Sequence, residues 1–472
     1  MPLPSVHSTP APQGEISTFG WDTAFAVRIA NVNQAIVAKG VSPTVFDYTD
    51  PSDGQEYCKG EFEPWVVVRG GDGGGVNIKL PVKNVVGQTK AAAGYTPYSW
   101  SGGSLTFTVR LEFFNVGERK HHLKVKPTSD EASVPVVELY GSDVSVPVAP
   151  AWAVYALQAA LTAWCKANLA AFAYVFSVVD LNDEADRGAW SFLKPTAVSY
   201  SYVDGDTDED AFLGVLAMTH GEDPGGLQQV LDKRIVQANE QGAFCISRSL
   251  LLKKLVTPNL IKLWSNLGES QLSYGENDIQ LKANESVELP QVEEQGQYYT
   301  PQLKEFSLTI EGEEITLDAY TETDVQDGVT AWCRTTARYT ITKGTNKQGQ
   351  TTLAYSQLGD PQTSHGHRIA EWVKITDAIL AVVVAVALAA LAVVTGGAAV
   401  PVIAVLGALL VGVIGLAPEI SGMIENDDAP AIDLLQENVY APIVWTDSKD
   451  FSVLSVELDG SLRLGGALGF GT

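Results

Sequence analysis

Cysteine and histidine are scarce in this chain of 472 residues, which has four cysteines and six histidines. The four cysteines, Cys58, Cys165, Cys245 and Cys333, lie far apart and form no CxxC pair. Structural zinc sites usually draw their ligands from close pairs, so the spacing disfavours zinc and predicts buried free thiols. The sequence also lacks the GxSxG and HExxH motifs, and no carboxylate pair is distinctive. We therefore predict no enzymatic activity and no cofactor.

Basic residues are scarce as well. The chain has 31 lysines and arginines against 56 aspartates and glutamates, which gives a formal net charge of −25. Binding to nucleic acid needs clusters of basic residues that displace counterions, so we exclude nucleic acid as a partner. The same charge argues against broad adhesion to anionic membranes, and it favours solubility or a basic partner.

The N-terminus lacks the apolar core of a secretory signal peptide. Its sequence, "MPLPSVHSTPAPQGEIS", is rich in proline, serine and threonine and has no run of apolar residues. This composition supplies no core, so we predict that residues 1–18 form a flexible tail. We expect synthesis in a cytoplasm without a Sec signal, and any export to the extracellular medium must use a non-classical route.

Four short motifs are typical of ligand sites but fit structural roles better. "GGDGGG" at 70–75 precedes a strand and not a helix, which predicts a hairpin turn instead of a phosphate cradle. "DGDTDED" at 204–210 has the charge of a calcium loop, but Glu209 and Val215 stand where such a loop needs glycine at its sixth position and glutamate at its twelfth, so we predict a solvated turn. His365 and His367 have no further ligand nearby in sequence and are predicted to lie in a loop. His121 and His122 are predicted to end a solvated strand, with contact to a phosphate head group as the alternative.

Helical and strand patterns recur without the strict βαβ order of a parallel sheet, which indicates an α+β fold with antiparallel strands. A first helix is predicted from Asp22 or Thr23 to Gly40, and a helical zone covers residues 226–239 and 247–264. Asp459-Gly460 is a strong hairpin signal. The predicted strands cover residues 65–68, 76–80, 105–114, 122–125, 198–203, 212–219, 306–317, 329–342 and 351–357.

A second long helix begins near Trp152 and is apolar on nearly every side as far as Trp164. A surface helix would show one apolar stripe, so we predict that other structure encloses this helix on most sides. Lys166 and Asn168 mark its one polar region. On this helix pattern alone, the candidate lipid-lining residues are Trp152, Tyr155, Leu157, Leu161, Trp164, Phe172 and Phe176.

The longest apolar stretch covers residues 378–418 and carries no charge. A turn at Thr395-Gly396-Gly397 divides it into two arms, residues 378–394 and 400–417, and each arm is slightly short of the roughly 20 residues that span a bilayer. Small residues recur every fourth position and would let the arms pack closely. These residues are Ala381, Ala385 and Ala389 on the first arm and Ala404, Ala408 and Gly412 on the second. We predict an apolar helical hairpin that folds into the soluble protein, with insertion into a bilayer as the alternative.

Several stretches resemble one known bacterial family: "FGWDTAFAVRIANVNQAI", "WSFLKPT" followed by "FLGVLAMT", and "ISRSLLLKKLVTPNL". They resemble the forty-seven-kilodalton protein family that clostridia encode beside botulinum neurotoxins, over most of the chain from Phe19 on. The resemblance implies the TULIP, or tubular lipid-binding, superfamily. The implied fold is an elongated α+β unit in which highly curved antiparallel sheet wraps long helices around an apolar tube, here with the C-terminal hairpin added. The unit would cover residues 19–472, with two halves that meet near residues 180–220.

The resemblance also implies a function. We expect a non-enzymatic protein made in a bacterial cytoplasm that binds lipid or another apolar ligand. It would serve as an accessory component of a bacterial toxin or secreted complex, with toxin-complex proteins as further partners. One alternative is a membrane-inserting or pore-assisting component that uses residues 378–418. Another is a protein–protein scaffold whose tube is closed and filled by its own side chains.

Overall fold

The fold is mainly β-structure, as a computed structural model of the chain shows. The structure describes residues 14–92, 94–115, 120–126, 136–144, 151–180, 193–219, 221–345, 347, 349–374, 376–395, 443–448 and 451–470. Strands in these residues form sheets of six, seven, four, eight and two strands. The strand pairs that build the sheets are antiparallel. The prediction of antiparallel sheets is therefore confirmed.

The first half of the chain supplies the strands β1 (Thr23–Arg28), β2 (Val45–Thr49), β3 (Tyr57–Phe62), β4 (Val66–Asp72), β5 (Gly75–Ala91), β6 (Gly94–Trp100), β7 (Ser104–Val109), β8 (Leu111–Asn115), β9 (Lys120–Val125), β10 (Val137–Asp143), β11 (Ser177–Asp180), β12 (Pro195–Val203) and β13 (Phe212–Thr219). The second half supplies β14 (Gly242–Ile246), β15 (Leu272–Tyr274), β16 (Asp278–Leu281), β17 (Val287–Glu288), β18 (Val292–Glu294), β19 (Gln297–Tyr299), β20 (Gln302–Glu311), β21 (Glu314–Gln326), β22 (Val329–Thr345), β23 (Thr351–Gln357), β24 (Gln362–Ile369), β25 (Ile443–Trp445), β26 (Ser452–Asp459) and β27 (Ser461–Ala467).

The α-helices in the described residues are fewer than the strands. They are α1 (Ile29–Lys39), α2 (Ala151–Ala167), α3 (Arg248–Leu250), α4 (Thr257–Leu263) and α5 (Asp377–Thr395), with a π-helical stretch, Leu251–Val256, between α3 and α4. The seven-stranded sheet has the order β10-β7-β5-β3-β2, with β4 and β6 also paired to β5. The eight-stranded sheet has the order β15-β16-β20-β21-β22-β23, with β17 paired to β20 and β24 paired to β22.

The six-stranded sheet joins the two ends of the described chain. Its order is β12-β13-β1-β14-β27-β26, so β1 lies beside strands that come much later in sequence. Every residue of β1 and β13 is buried, and their side chains divide between two apolar clusters on opposite faces. The continuous apolar run of β13, "FLGVLAMT", is what a strand buried on both faces requires. The division into two halves near residues 180–220 remains a prediction.

The first part of the predicted first helix is a strand in the structure. Residues Thr23–Arg28 form β1, and α1 begins only at Ile29, although it ends at Gly40 as predicted. The apolar residues Phe25 and Ile29 fit a helical period, but Phe25 is paired to Val215 and Phe244 in the sheet. Tertiary pairing on both sides of β1 overrides the local pattern, because it buries every side chain of the strand.

Other local predictions divide in the same way. The turn at 70–75 and the hairpin at Asp459-Gly460 are confirmed, by β4–β5 and by β26–β27. Residues 226–239 contain turns and no helix, since the preceding Pro224, Gly225 and Gly226 favour turns. His365 and His367 lie in β24 and not in a loop.

The apolar stretch begins as predicted, with α5 covering the first arm. Val383, Val386 and Ala387 are buried against β18, β21, β22 and β24, in a cluster with Val329 and Ala331. The second arm, the turn before it and the contact between the arms lie outside the described residues. In the part of the chain that the structure describes, no helix combines the length and hydropathy that crossing a membrane requires.

The described chain begins inside the predicted tail. Residues 1–13 lie outside the description, but Glu15, Ile16 and Thr18 are buried, and Ile16 forms a β-bridge with Gly460. The predicted flexible tail of residues 1–18 therefore includes residues that are packed in the structure. Ile16 is apolar and its backbone is hydrogen-bonded to Asp459, which explains its order.

Candidate functional site

The predicted lipid-binding helix, α2, buries one stripe of its surface. Ala153, Leu157, Ala160, Leu161 and Trp164 follow helical spacing and are all buried. Contacts with β2, β3 and β10 place this stripe against the seven-stranded sheet. Alanine-rich helices form readily and approach a sheet closely, because alanine loses no side-chain entropy and has a small side chain.

The candidate lining residues fall into two groups. Leu157, Leu161, Trp164, Phe172 and Phe176 are buried in the main apolar cluster. The three aromatic residues of this group pack against the rings of two other core residues. The Trp164 ring lies 5.2 Å from Phe62, and the Trp65 ring lies 5.9 Å from Phe172 and 6.3 Å from Phe176. Trp152 and Tyr155 instead point outward, with 40% and 70% of their surface exposed.

The prediction that sheet wraps a long helix on most sides is therefore not supported in the described residues. Tyr155 lies two residues from fully buried Leu157 and is largely exposed, which is the pattern of a helix with one packed face. The sequence misled because α2 carries alanine on its outer side, and an exposed alanine costs little.

An open groove runs along this outer side of α2. It has a volume of about 470 Å³ and is lined by Leu139, Tyr155, Gln158, Ala159, Thr162, Ala163 and Lys166. Ala159 and Ala163 lie one helical turn apart, and together with Leu139 of β10 they contribute small and apolar side chains to the lining. The Gln158 amide donates a 2.8 Å hydrogen bond to the Ser142 hydroxyl and so ties the helix to β10.

The sequence analysis identified Tyr155 and noted Lys166 but missed the alanines of the groove. Their signal was the spacing of Ala159 and Ala163, which places two small side chains on one helical face. Among the described residues, no carboxylate forms an ion pair with Lys166. The groove thus combines apolar side chains with the Lys166 ammonium group, which lies in the last turn of α2.

A second, smaller cavity is lined by the π-helical stretch, the eight-stranded sheet and β26 of the six-stranded sheet. Its volume is about 10 Å³, and its lining residues are Leu251, Val256, Leu308, Ile310, Ile315, Ile341 and Leu458. All of these side chains are aliphatic. A cavity of this size holds about one water molecule, so it has no room for a lipid chain.

The cysteines of α2 and of the adjacent β3 are buried thiols. Burial raises the pKa of the Cys165 thiol to about 12 and that of Cys58 to about 11, so both stay protonated at neutral pH. All four cysteines are buried free thiols, as predicted. Among the described residues, no three His, Cys, Asp or Glu side chains are placed to hold a metal ion. What these residues offer is apolar surface.

Comparison with known proteins identifies the family. The profile described as "OrfX-like: Protein OrfX2/OrfX3/P47" matches residues 18–466. The chain belongs to this OrfX-like family. It is 32% identical to Protein OrfX3 of Paraclostridium bifermentans, over 96% of this chain and 99% of that protein. It is 28% identical to Protein OrfX3 of Clostridium botulinum (strain Kyoto / Type A2), with the same coverage of both chains.

Solved structures agree on the fold. P47 from Clostridium botulinum A2 superimposes with a TM-score of 0.66 at 17% identity, over 96% of this chain and 98% of that one. P47 of Clostridium botulinum E1 gives a TM-score of 0.64 at 16% identity. These matches confirm the resemblance to the proteins of the botulinum toxin gene clusters that the sequence analysis drew. The OrfX-like chain has a P47-like fold that is mainly β-structure.

Proposed function

We propose that this OrfX-like protein binds lipid-like apolar molecules without catalysis and acts as an accessory protein of a bacterial toxin complex. The observation that carries the proposal is the open groove on α2, which is lined by Ala159, Ala163 and Tyr155 among others. The family's place in botulinum toxin gene clusters supports the accessory role. The groove rather than the predicted tube is the proposed site, because the buried candidates Leu157, Leu161 and Trp164 fill the core.

The groove can hold a hydrocarbon chain on physical grounds. Each methylene that leaves water for an apolar surface contributes about 0.8 kcal/mol, and an open groove recovers only part of that. A small number of polar groups is enough to orient such a ligand. Gln158, Thr162 and Lys166 are the polar lining residues.

A groove-filling variant tests the proposal. Ala159 is exposed, so Ala159→Trp places a large side chain in the groove without disturbing the core. Titration with a pyrene-labelled acyl chain should show at least about tenfold weaker binding to this variant, which corresponds to about 1.4 kcal/mol. Ala151→Trp is the matched control, since Ala151 is exposed on the same helix and outside the groove lining. Equal binding by the two variants would refute the groove as the site.

A protein–protein scaffold is the second candidate function. The packed aromatic core around Trp65, Phe172 and Phe176 favours it, because this interior is filled by the protein's own side chains. In that case the α2 groove would receive a side chain of a partner protein. No acyl chain would then bind to the parent protein, whereas Ala159→Trp would weaken the assembly with the partner.

A further inference from the structure

A polar cleft opens on the surface where residues 15–22 lie against the six-stranded sheet. Its volume is about 340 Å³, which is within the size range of ligand sites. Its lining includes four carboxylates, one guanidinium and five hydroxyl groups, and it shares no residue with the lining of the α2 groove. We call this surface the acidic cleft.

The acidic cleft has more carboxylates than its own cation can neutralise. Glu15 forms a 3.1 Å ion pair with Arg248, whose guanidinium also donates a 2.8 Å hydrogen bond to the Ile310 carbonyl. Within the described part of the chain, the other three carboxylates of the lining form no ion pair. These are Asp22, Glu222 and Glu276. The cleft therefore attracts a cation.

Asp22 supplies a buried acceptor in this cleft. Only 9% of its surface is exposed. One of its carboxylate oxygens accepts hydrogen bonds from the Thr219 amide at 2.8 Å and from the Thr219 hydroxyl at 2.7 Å, which fix the carboxylate at the start of β1. The other oxygen accepts no hydrogen bond from the described residues. Buried polar groups normally have a partner, so this oxygen is available to a donor on a ligand.

Phe19 and Leu227 add half-buried apolar surface to the acidic cleft. Gly20 has φ +91°, and a Cβ atom there would lie 2.8 Å from a methyl group of Leu227, so the missing side chain lets Leu227 pack directly on this backbone. The Trp21 indole donates a 3.0 Å hydrogen bond to the Gln228 carbonyl and joins the same two segments. This apolar part of the lining is thus already formed in the protein alone.

We propose that the acidic cleft binds a lysine side chain of a partner protein. Asp22 lies at the start of β1, Glu222 after β13 and Glu276 between β15 and β16, so the three acceptors come from separate segments. An ammonium group, a compact charge with three donors, suits this arrangement better than the planar fork of arginine, which pairs with one carboxylate. The methylenes of the lysine lie against Phe19 and Leu227.

The formal net charge of −25 supports a basic partner, because it attracts one over a distance. The inference extends the proposed accessory role by naming a contact with a partner protein. It is independent of lipid binding in the α2 groove.

Binding of a single lysine tests the proposal. The probe is acetyl-Gly-Lys-Gly-amide, whose only charge is the ammonium group, and calorimetric titration of the full chain at low ionic strength gives its Kd. The matched probe has norleucine in place of lysine and so keeps an apolar stem without the charge. We expect the lysine peptide to bind more tightly than the norleucine peptide and to lose affinity as salt is added.

Charge-removing variants locate the site. An exposed ion pair shifts an equilibrium by a factor of up to about five, so Glu222→Gln combined with Glu276→Gln should weaken binding of the lysine peptide roughly five- to tenfold. Glu293→Gln combined with Asp360→Asn is the matched control, because both residues are exposed carboxylates outside the lining. The control should bind as the parent does. Binding of the pyrene-labelled acyl chain should stay at the parental value in both variants.

Asp22→Asn tests the buried acceptor. It keeps an oxygen for Thr219 and places an N–H donor where the second carboxylate oxygen was, so it should also weaken binding of the lysine peptide. Its melting temperature checks the fold, and the Glu222 and Glu276 variant carries the test if Asp22→Asn does not fold.

Four outcomes would contradict the proposal. Equal affinity for the lysine and norleucine peptides, or no binding of either, would overturn the site. Equal weakening in the control pair would overturn the cleft, because general surface charge would then explain the binding. Tighter binding of an arginine peptide would overturn the ammonium group as the ligand. Tighter binding of putrescine than of the lysine peptide would overturn the protein partner in favour of a small polyamine.

Discussion

Separate replacement of Leu157 and Tyr155 by alanine tests whether α2 packs through one face only. The two residues are close on the same helix, yet Leu157 is fully buried and Tyr155 is 70% exposed. A buried Leu→Ala substitution typically costs about 2–5 kcal/mol, because it removes apolar burial and leaves a cavity. A substitution at an exposed site usually changes stability by no more than about 0.5 kcal/mol. We expect Leu157→Ala to destabilise strongly and Tyr155→Ala hardly at all.

Urea unfolding of the two variants measures the difference. The midpoint should fall markedly for Leu157→Ala with an unchanged slope, and it should stay near the parental value for Tyr155→Ala. If sheet enclosed the helix on most sides, loss of the tyrosine ring would cost several kcal/mol, as it does in a core. Equal destabilisation by the two substitutions would therefore refute the one-sided packing. Tyr155→Ala should still weaken binding of an acyl chain, because Tyr155 lines the groove.

Three further predictions concern buried contacts away from α2. Gly465→Ala should lower the free energy of unfolding by several kcal/mol, because a Cβ atom there collides with the Glu240 carboxylate beside the buried Arg463; a melting temperature equal to the parent's would contradict this. Burial opposes ionisation of Asp232, but hydrogen bonds from Arg234 and Ser17 outweigh it and hold the Asp232 pKa below its usual range. Its stabilisation is therefore complete above the unfolded pKa and is lost as pH falls through the folded pKa, so Asp232→Asn should flatten the acid limb of the stability curve. Deletion of residues 1–16 should lower the melting temperature, because it removes the buried Ile16 side chain and the Glu15 carboxylate that pairs with Arg248. An unchanged melting temperature would show that residues 14–16 add no stability.

The sequence predicted well those elements whose conformation is specified by residues that are neighbours in sequence. The run from Phe212 to Thr219 is apolar at nearly every position, and β13 has those bounds. Asp459-Gly460 specifies its own turn, with Gly460 at φ +70° between β26 and β27. In both cases neighbouring residues contain the information that the fold uses.

Failures arose where distant partners decide the structure. Phe25 belongs to a helical period in sequence, but its pairing with Val215 and Phe244 makes it part of a strand. The candidate site shows the same limit. Leu157 and Trp164 were predicted beside Trp152 and Tyr155, because an all-apolar helix does not reveal which face meets the sheet. Glu15 contacts Gly312 and Arg248, which lie in widely separated parts of the chain, and no local pattern in the sequence marks these contacts.

The most direct test of the central claim is to identify what the protein carries. The parent and the Ala159→Trp variant would be purified without detergent, and their organic extracts would be quantified by mass spectrometry. We predict that the parent carries acyl-chain lipid in a reproducible molar ratio and that Ala159→Trp carries much less, with Ala151→Trp at the parental amount. Equal lipid in parent and Ala159→Trp, or none in either, would contradict the proposal that this OrfX-like protein binds apolar ligands in the α2 groove.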